Sequence, residues 1–248
     1  MLRLVSHVGT KVRQQGVGAL VRRSAYHASG TVGGWIEMGR RRTFETPDEV
    51  VDYVGRAAGG YFKPLQVRSE ICSLLTLVRE LRPRRVMEIG TANGGTLLMW
   101  TRVAAPDAQL ISLDLRGGAW GGGYGTWKAP VYRRFALPGQ RIDLVRGDSH
   151  AASSLERVRS LLGGERLDFL MIDGDHSYEG VKQDYEMYAP LVRSGGLVAF
   201  HDVAECDPRH QCDVTRLWRE VRARHAEQYE FIEDPKQGWG GIGVVRVP

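Results

Sequence analysis

The stretch from Val86 to Leu98 constrains the fold of this chain more than any other segment. An apolar run ends at Glu88, and a turn that contains Gly90 and Gly94 follows at once. A helical pattern of apolar residues then continues to Leu98. An apolar run, a glycine-bearing turn and a helical pattern in this order predict a β-strand, a nucleotide-type loop and an α-helix.

Short apolar runs alternate with helical patterns along most of the chain. Such alternation predicts an α/β fold with a doubly wound, mostly parallel sheet, in which ligands bind at the carboxyl ends of the strands. Five successive predicted strands end in or just before an acidic residue, so we expect these carboxylates at one edge of the sheet. The acids are Glu88, Asp114, Asp148, Asp173 and Asp202. The predicted strands are 85–89, 110–114, 142–145, 167–173, 197–202, 229–233 and 241–247.

The charge is divided unevenly between an N-terminal extension and the rest of the chain. Residues 1–45 hold eight Lys and Arg against two acids, whereas residues 46–248 hold 26 basic and 27 acidic residues. Because the larger part has no basic excess, we expect no nucleic-acid partner. Thr46 and Pro47 fit the N-cap and the first position of a helix, so the folded domain is predicted to cover residues 46–248.

The basic extension over residues 1–45 has a weak helical pattern that glycines interrupt, and its residues 30–34 are predicted to form a linker. Two interpretations of the extension are open. It is a mobile tail or an arm that packs on a second subunit, which would make the protein a homo-oligomer. Alternatively, it docks peripherally on an anionic membrane surface or on an acidic partner.

The sequence gives no indication of secretion or of membrane insertion. The chain has three cysteines, too few for a disulfide framework, and it has no run of about 18 apolar residues. Its first residues have no long apolar core and no convincing cleavage site, so no signal peptide is expected. These features predict a cytoplasmic protein.

The loop after the first predicted strand differs from a dinucleotide-binding loop. Its glycine spacing is Gly90-x-x-x-Gly94-Gly95 rather than G-x-G-x-x-G, and Glu88 lies two residues before the first glycine. A carboxylate that faces the pocket would repel a pyrophosphate but would suit a cationic ligand with an amine. Asp114, which ends the next predicted strand, is placed to accept hydrogen bonds from both hydroxyls of a ribose.

Asp148 and Ser149 follow the third predicted strand and are placed to contact the edge of an adenine. The loop, the ribose acid and these two residues would together form an acidic adenosine site without a phosphate-binding part. Such a site indicates S-adenosylmethionine rather than NAD as the ligand.

Three segments, taken in order, resemble those of the class I S-adenosylmethionine-dependent methyltransferases. They are residues 88–96, 172–178 and 195–202, and the resemblance extends from about residue 66 to residue 247. It is nearest to the metal-dependent O-methyltransferase-like branch, which holds caffeoyl-CoA- and catechol-type enzymes, sugar O-methyltransferases and cephalosporin hydroxylase-associated proteins. The resemblance implies a Rossmann-like sheet of seven mostly parallel strands with an antiparallel last strand, and it makes residues 46–248 the methyltransferase domain.

The resemblance also implies roles for individual residues. His176 would be the catalytic base, with Asp175 beside it, and Mg²⁺ is the usual cation of the relatives. Since imidazole is a softer ligand than Mg²⁺ prefers, Mn²⁺, Zn²⁺ or Fe²⁺, a supporting role for His201, and a site without metal remain open. The implied metal ligands are Asp173, His201 and Asp202. The implied cofactor-binding residues are Glu88, Gly90, Thr91, Asn93, Gly94, Thr96, Asp114, Asp148, Ser149 and Asp173.

These residues predict an O-methyltransferase that transfers a methyl group from S-adenosylmethionine to a hydroxyl of a small acceptor, preferably a sugar in a natural product or glycan. A hard cation would lower the pKa of the hydroxyl, and a neutral histidine would remove its proton. Two alternatives are kept: a catechol- or β-lactam-type acceptor, and a methyltransferase-like partner subunit without activity.

Two further segments have a less specific pattern. The glycine-rich residues 117–127 carry three large aromatic side chains and are predicted to be a mobile lid or, alternatively, a plain flexible loop. Cys206 and Cys212 lie close in sequence to His201 and Asp202. Because Cys-x₅-Cys is not a zinc-finger spacing, these cysteines are interpreted as incidental residues of a surface loop.

Overall fold

The structure, a computed structural model, describes residues 17–39, 42–115, 117, 123–207, 209 and 212–248. These residues form a sheet with helices on both of its faces. The helices are α1 (Val17–Met38), α2 (Pro47–Gly60), α3 (Arg68–Leu81), α4 (Gly95–Val103), α5 (Ala129–Arg133), α6 (Ala152–Leu162), α7 (Tyr178–Tyr188) and α8 (Val214–Arg222). The strands are β1 (Arg85–Ile89), β2 (Gln109–Asp114), β3 (Arg141–Arg146), β4 (Leu167–Ile172), β5 (Val192–His201), β6 (Gln228–Phe231) and β7 (Ile242–Arg246).

Within the described residues the sheet has seven strands in the order β3-β2-β1-β4-β5-β7-β6. The pairs among β1 to β5 are parallel, whereas β7 runs antiparallel to both of its neighbours. The predicted fold class, a doubly wound Rossmann-like sheet with an antiparallel last strand, is therefore confirmed. The strand order reverses between β1 and β4, and a crevice for a ligand is expected beyond the carboxyl ends of these two strands.

Strands β1, β2 and β4 are buried at nearly every position because helices cover both faces of the sheet. Val86 and Phe169 point into the core shared with α2, α3 and α4, whereas Met87 and Leu170 point into the core shared with α6, α7 and α8. β5 begins at Val192, earlier than predicted, since the glycines that indicated a turn lie within the strand. The register with β4 shifts between Leu167 and Phe169, opposite these glycines.

The predicted linker at residues 30–34 is wrong, because these residues lie within α1. Gly30 and Gly34 lie on the side of α1 that packs against the domain, where the absence of side chains leaves room for aromatic rings. A Cβ atom at Gly30 would lie 2.3 Å from the ring of Tyr61, and one at Gly34 would lie 2.7 Å from the ring of Phe62. His27 also contacts this side, with its Nδ1 3.0 Å from the hydroxyl of Tyr61. Residues 1–16 of the extension lie outside the described residues.

The opposite side of α1 is exposed and carries Val21, Val32 and Ile36, each about three-fifths exposed. No helix among the described residues is both long enough and apolar enough to cross a membrane.

The glycines of α1 yield a matched pair of substitutions. Gly30→Ala is expected to lower the free energy of unfolding by about 1–3 kcal/mol, because the new methyl group would overlap the buried ring of Tyr61. Gly33→Ala is the control, since its Cβ would meet Ala58 at an ordinary 3.4 Å, and helix propensity would then add about 0.5–1 kcal/mol. Urea unfolding measures both changes. Equal stabilities of the two variants would contradict the packing of α1 described above.

Candidate active site at the carboxyl edge of the sheet

A cavity of about 810 Å³ opens at the carboxyl edge of the parallel strands. The segments after β1, β2, β3, β4 and β5 all contribute to its wall, together with residues 63–66 ahead of α3. This volume lies in the range of small-molecule and cofactor sites. The acids predicted at this edge are distributed in two groups, one around the loop after β1 and one around the ends of β4 and β5.

The loop after β1 is shaped by glycines in the left-handed region. Gly90 has a φ of 92°, and a Cβ atom there would lie 1.9 Å from the carbonyl oxygen of Asp173. Gly94 precedes α4 with a φ of 82°, and its Cβ would lie 2.8 Å from the ring of Tyr132. Of the residues predicted to bind a cofactor, Gly90, Thr91, Asn93 and Thr96 line the cavity, whereas Gly94 is not among its lining residues.

Glu88 does not face the cavity, and the inference that its carboxylate is aimed at the ligand is wrong. Its side chain is buried under the loop, where Oε2 accepts hydrogen bonds from Thr96 Oγ1 at 2.9 Å and from Trp100 Nε1 at 3.0 Å. Burial raises the pKa of Glu88 to about 8 in spite of these bonds. Burial thus favours the neutral form of Glu88, whose bonds to Thr96 and Trp100 hold α4 beneath the loop. The local sequence could not give this orientation, because it depends on the position of α4.

Asp114 ends β2 and lines the cavity. Its Oδ2 accepts a hydrogen bond from the backbone N–H of Ala92, and its Oδ1 accepts one from Gly123, both at 3.0 Å. Burial raises the pKa of Asp114, although these backbone donors oppose the shift. Each carboxylate oxygen has further acceptor capacity toward a ligand. Asp148 and Ser149 line the same cavity beyond β3, as predicted.

His150 is a cavity residue that the sequence did not single out. Its Nε2 lies 3.3 Å from Oδ1 of Asp184, which is fully buried on α7, and 3.0 Å from the carbonyl oxygen of Gly180. The bond with Asp184 raises the pKa of His150 to about 9 against the effect of burial. A histidine directly after Asp148-Ser149 was the available signal in the sequence, but its buried partner is 34 residues away.

Asp173, His201 and Asp202 come together at the ends of β4 and β5, and one ligand atom from each lies within 4.8 Å of the others. His201 Nδ1 is 3.1 Å from Asp173 Oδ1 and 3.4 Å from Asp202 Oδ2. Asp202 has a φ of 60°, and the N–H of Gly240 donates to its Oδ1 at 2.9 Å. The fold thus brings together the three side chains that were predicted as metal ligands.

His176 lies against the same two carboxylates. Its Nδ1 is 2.9 Å from Asp202 Oδ2, and its Nε2 is 3.8 Å from Asp173 Oδ1. Burial by itself would lower the pKa of His176, but the hydrogen bonds with Asp202 and Cys212 and the charges of both aspartates raise it to about 10. The same aspartates outweigh burial at His201 and raise its pKa. The two aspartates thus favour the protonated form of the His176 ring.

Asp175 and Gln66 complete this wall. Asp175 lines the cavity, and its carboxylate accepts a hydrogen bond from the N–H of Ser177 at 2.8 Å, at the turn that begins α7. Gln66 was not predicted as a site residue, although its Nε2 donates to Asp173 Oδ2 at 2.7 Å. It precedes α3, more than a hundred residues from its partner, so no local pattern indicated it.

The glycine-rich segment 117–127 lies only partly within the described residues, and Trp120 is outside them. Gly123 binds Asp114 through its N–H, and Tyr124 is buried beside Tyr132. Trp127 is half exposed. The prediction of a lid therefore stays a prediction.

Residues 87–203, a little under half of the chain, match the family model described as Methyltransferase domain. The chain is 30% identical over 151 residues to Uncharacterized protein y4gI of Sinorhizobium fredii, an alignment that covers 59% of this chain and 16% of that protein. It is 26% identical over 175 residues to mycinamicin VI 2''-O-methyltransferase of Micromonospora griseorubida, which covers 64% of this chain and 39% of that protein. The chain thus spans less than two thirds of the length of these curated relatives.

Solved methyltransferases have a similar fold. The O-methyltransferase from Bacillus cereus in complex with SAH is 19% identical with a TM-score of 0.53, covering 89% of this chain and 99% of that one. The MycE methyltransferase of the mycinamycin biosynthetic pathway, in complex with Mg and SAH, is 19% identical with a TM-score of 0.52, covering 98% and 61%. These likenesses show that the chain shares its Rossmann-like fold with these methyltransferases.

The buried acid of β1 gives a prediction on pH. The pKa of Glu88 is raised from 4.5 to about 8, so the folded chain holds a proton that the unfolded chain loses. The stability that this provides is complete below about pH 4.5 and falls by up to about 1.4 kcal/mol per pH unit as the pH rises through 8. Glu88→Gln keeps an acceptor for Thr96 and Trp100 but does not titrate. Urea unfolding at pH 5 and pH 8 should therefore show the wild type losing stability relative to this variant, and parallel profiles would contradict the assignment.

Proposed function

We propose that the chain is an S-adenosylmethionine-dependent O-methyltransferase that methylates a hydroxyl group of a small acceptor, a sugar in a natural product or glycan, with the help of a divalent cation. One observation carries the proposal. A single cavity in a methyltransferase domain holds a buried strand-end carboxylate, Asp114, and a separate group of carboxylates and imidazoles around Asp173 and His176. The first suits the binding of an adenosine, and the second suits chemistry on a hydroxyl.

The cofactor would occupy the part of the cavity beside β1, β2 and β3. Asp114 is the acceptor for the ribose hydroxyls, because its carboxylate is fixed by two backbone donors and reaches the cavity wall. Asp148, Ser149 and His150 would surround the adenine. The methionine part would lie along the loop at Gly90, Thr91 and Asn93, whereas Glu88 supports this loop from below. S-adenosylmethionine, when bound, supplies a methyl group from its sulfonium. The sulfur that remains is a neutral thioether and is the leaving group.

A divalent cation fits the group at the ends of β4 and β5. Asp173 and Asp202 offer carboxylate oxygens, and His201 offers an imidazole within 4.8 Å of both. The Nε2 atom of His201 is buried and has no hydrogen-bond partner among the described residues. This nitrogen is therefore free to bind a further group. A bound cation would act as a Lewis acid that lowers the pKa of the acceptor hydroxyl. An imidazole beside two carboxylates suits Mn²⁺ or Fe²⁺ as well as Mg²⁺.

His176 is the proposed base. Its raised pKa is caused by hydrogen bonds with Asp202 and Cys212 and by the charges of Asp173 and Asp202, and neutralising the two carboxylates would remove their share of this effect and favour a neutral ring. The neutral ring accepts the proton of the acceptor hydroxyl while the oxygen forms its bond to the methyl group and the sulfur–methyl bond breaks. Asp175 lines the cavity next to His176 and would orient the acceptor. Gln66 would hold Asp173 in place through its 2.7 Å hydrogen bond.

A sugar is the proposed acceptor for two reasons, the names of similar proteins and the polar lining of the cavity. The chain resembles mycinamicin VI 2''-O-methyltransferase and the fold of MycE, and the cavity is lined by many polar groups. Trp239 lies at its rim, 42% exposed, and offers a flat ring of the kind on which sugars stack. A catechol- or β-lactam-type acceptor and a subunit without activity are the alternatives.

An assay of methyl transfer to a panel of glycosides, catechols and β-lactams tests the proposal. We expect methylated glycosides with Mg²⁺ or Mn²⁺ present and loss of turnover after exhaustive chelation. His176→Gln should keep its affinity for S-adenosylhomocysteine and lose on the order of 10²-fold or more in turnover, since general-base catalysis contributes about that much. Full turnover after chelation would reject the cation. Near-native turnover of His176→Gln would remove its role as the base, and a panel without any methylated product would favour the inactive subunit.

The ribose acid has a separate test by calorimetry. Asp114→Asn is expected to weaken the binding of S-adenosylhomocysteine by about 10- to 100-fold, because a charged acceptor is lost at a buried position. The control is Asp107→Asn, which changes an exposed acid that precedes β2 and pairs with Arg84 away from the cavity. Unchanged affinity of Asp114→Asn, with native circular dichroism, would contradict the proposed cofactor position.

A further inference from the structure

The group at the ends of β4 and β5 includes a thiol that neither the sequence interpretation nor the proposed function uses. One ligand atom from each of His176, Asp202 and Cys212 lies within 4.8 Å of the others. The thiol of Cys212 hydrogen-bonds with the ring of His176, and Nδ1 of that ring is 2.9 Å from Asp202 Oδ2. A half-buried imidazole, a buried carboxylate and a half-buried thiol thus face one another on the wall of the cavity.

The fold fixes this thiol in place. The N–H of Asp213 donates to the carbonyl oxygen of His176 at 2.8 Å, which joins the segment of Cys212 to the loop after β4. Thr215 Oγ1 donates to the carbonyl oxygen of Ala204 at 2.6 Å and attaches the start of α8 to the end of β5. Cys212 Sγ lies 4.0 Å from the carbonyl oxygen of Asp202. The interpretation of Cys212 as an incidental surface-loop residue therefore does not describe its surroundings.

Cys206 adds a second sulfur at the same wall. Its thiol hydrogen-bonds with that of Cys212, and both side chains line the cavity. His176 lies in the loop after β4, whereas Asp202, Cys206 and Cys212 lie in the segment between β5 and α8. Because these side chains come from segments far apart in the sequence, they have no zinc-finger spacing.

We propose that His176, Asp202 and Cys212 form a binding site for a borderline divalent transition-metal ion of the Zn²⁺ type, which is different from the oxygen-rich set around Asp173. Thiolate and imidazole ligands favour Zn²⁺ over Mg²⁺, and three protein ligands with one open position are usual where zinc faces a cavity. Ligand atoms about 2.0–2.3 Å from a tetrahedral zinc lie roughly 3.3–3.8 Å apart, which the spread of this group allows. Binding releases the proton of the thiol to solvent, because the thiolate is the form that binds the ion.

Occupation of this site would inhibit methyl transfer, a consequence that rests on the proposed function although the site itself does not. Asp202 belongs both to this set and to the set of Asp173 and His201, so two different ions would compete for its carboxylate. His176 would hold the ion through Nδ1, and its ring would no longer accept the proton of the hydroxyl. A zinc-type ion is thus expected to oppose Mg²⁺ or Mn²⁺ rather than to replace it.

Titration of the reduced full chain with Co²⁺, a spectroscopic substitute for Zn²⁺, tests the site directly. We expect one equivalent of Co²⁺ to give a near-ultraviolet sulfur-to-metal charge-transfer band. Cys212→Ser should abolish the band and weaken Zn²⁺ binding by at least on the order of 10²-fold, more than the loss of a supporting residue costs. Cys72→Ser is the matched control, since Cys72 is buried in α3 away from the cavity and should leave the band and the affinity unchanged. His176→Gln is the second variant and should weaken Zn²⁺ binding with all thiols intact.

Two results would overturn the proposal: bound Co²⁺ without a charge-transfer band in the wild type, or a band that persists in Cys212→Ser. Calorimetry with S-adenosylhomocysteine is run on the same samples. Cofactor binding without the band would reject the zinc-type site and leave the methyltransferase proposal standing. A charge-transfer band without any binding of S-adenosylhomocysteine would support the zinc-type site and contradict the methyltransferase proposal.

Discussion

The close approach of Gly90 to the carbonyl of Asp173 is the constraint on which the rest of the site depends. The N–H of Asp173 donates to the carbonyl oxygen of Ile89 at 2.8 Å, so β1 and β4 remain paired up to the point where both chains leave the sheet. No side chain fits between them at Gly90. This contact brings the loop that would hold a cofactor next to the first carboxylate of the group that would hold an acceptor, and one cavity serves both.

The aspartates and histidines at the ends of β4 and β5 compensate one another's charge. Asp173 and Asp202 are partnered by His176 and His201, of which His201 and Asp202 are buried and Asp173 and His176 are partly buried. Asp202 is held in a left-handed conformation by the N–H of Gly240, and the neighbouring Gly241 is bound by the buried Glu70. The arrangement is therefore set by the backbone before any ligand arrives, as preorganised electrostatic sites require. Because a metal ligand must be deprotonated, metal binding and protonation of this group are linked.

Much of the fold followed from local patterns, because a central parallel strand is buried on both faces and must be a short apolar run. The acids at the strand ends could be assigned to one edge for the same reason, since parallel strands end on the same side of a sheet. The failures also have physical causes. Glycines 30–34 indicate a linker when read alone, but against the rings of Tyr61 and Phe62 they permit close helix packing. Glu88 is directed by the position of α4 rather than by its own strand.

The sequence by itself determined the order of strands and helices, the nucleotide-type loop and the acids at the carboxyl edge, because each depends on residues close together in the chain. Only the tertiary structure decided which side chains reach the cavity. Gln66 lies beside Asp173, His150 beside Asp184 and Cys212 beside His176, each across 34 residues or more of chain. Such pairs depend on how elements pack around the sheet, and a pattern of neighbouring residues carries no information on that packing.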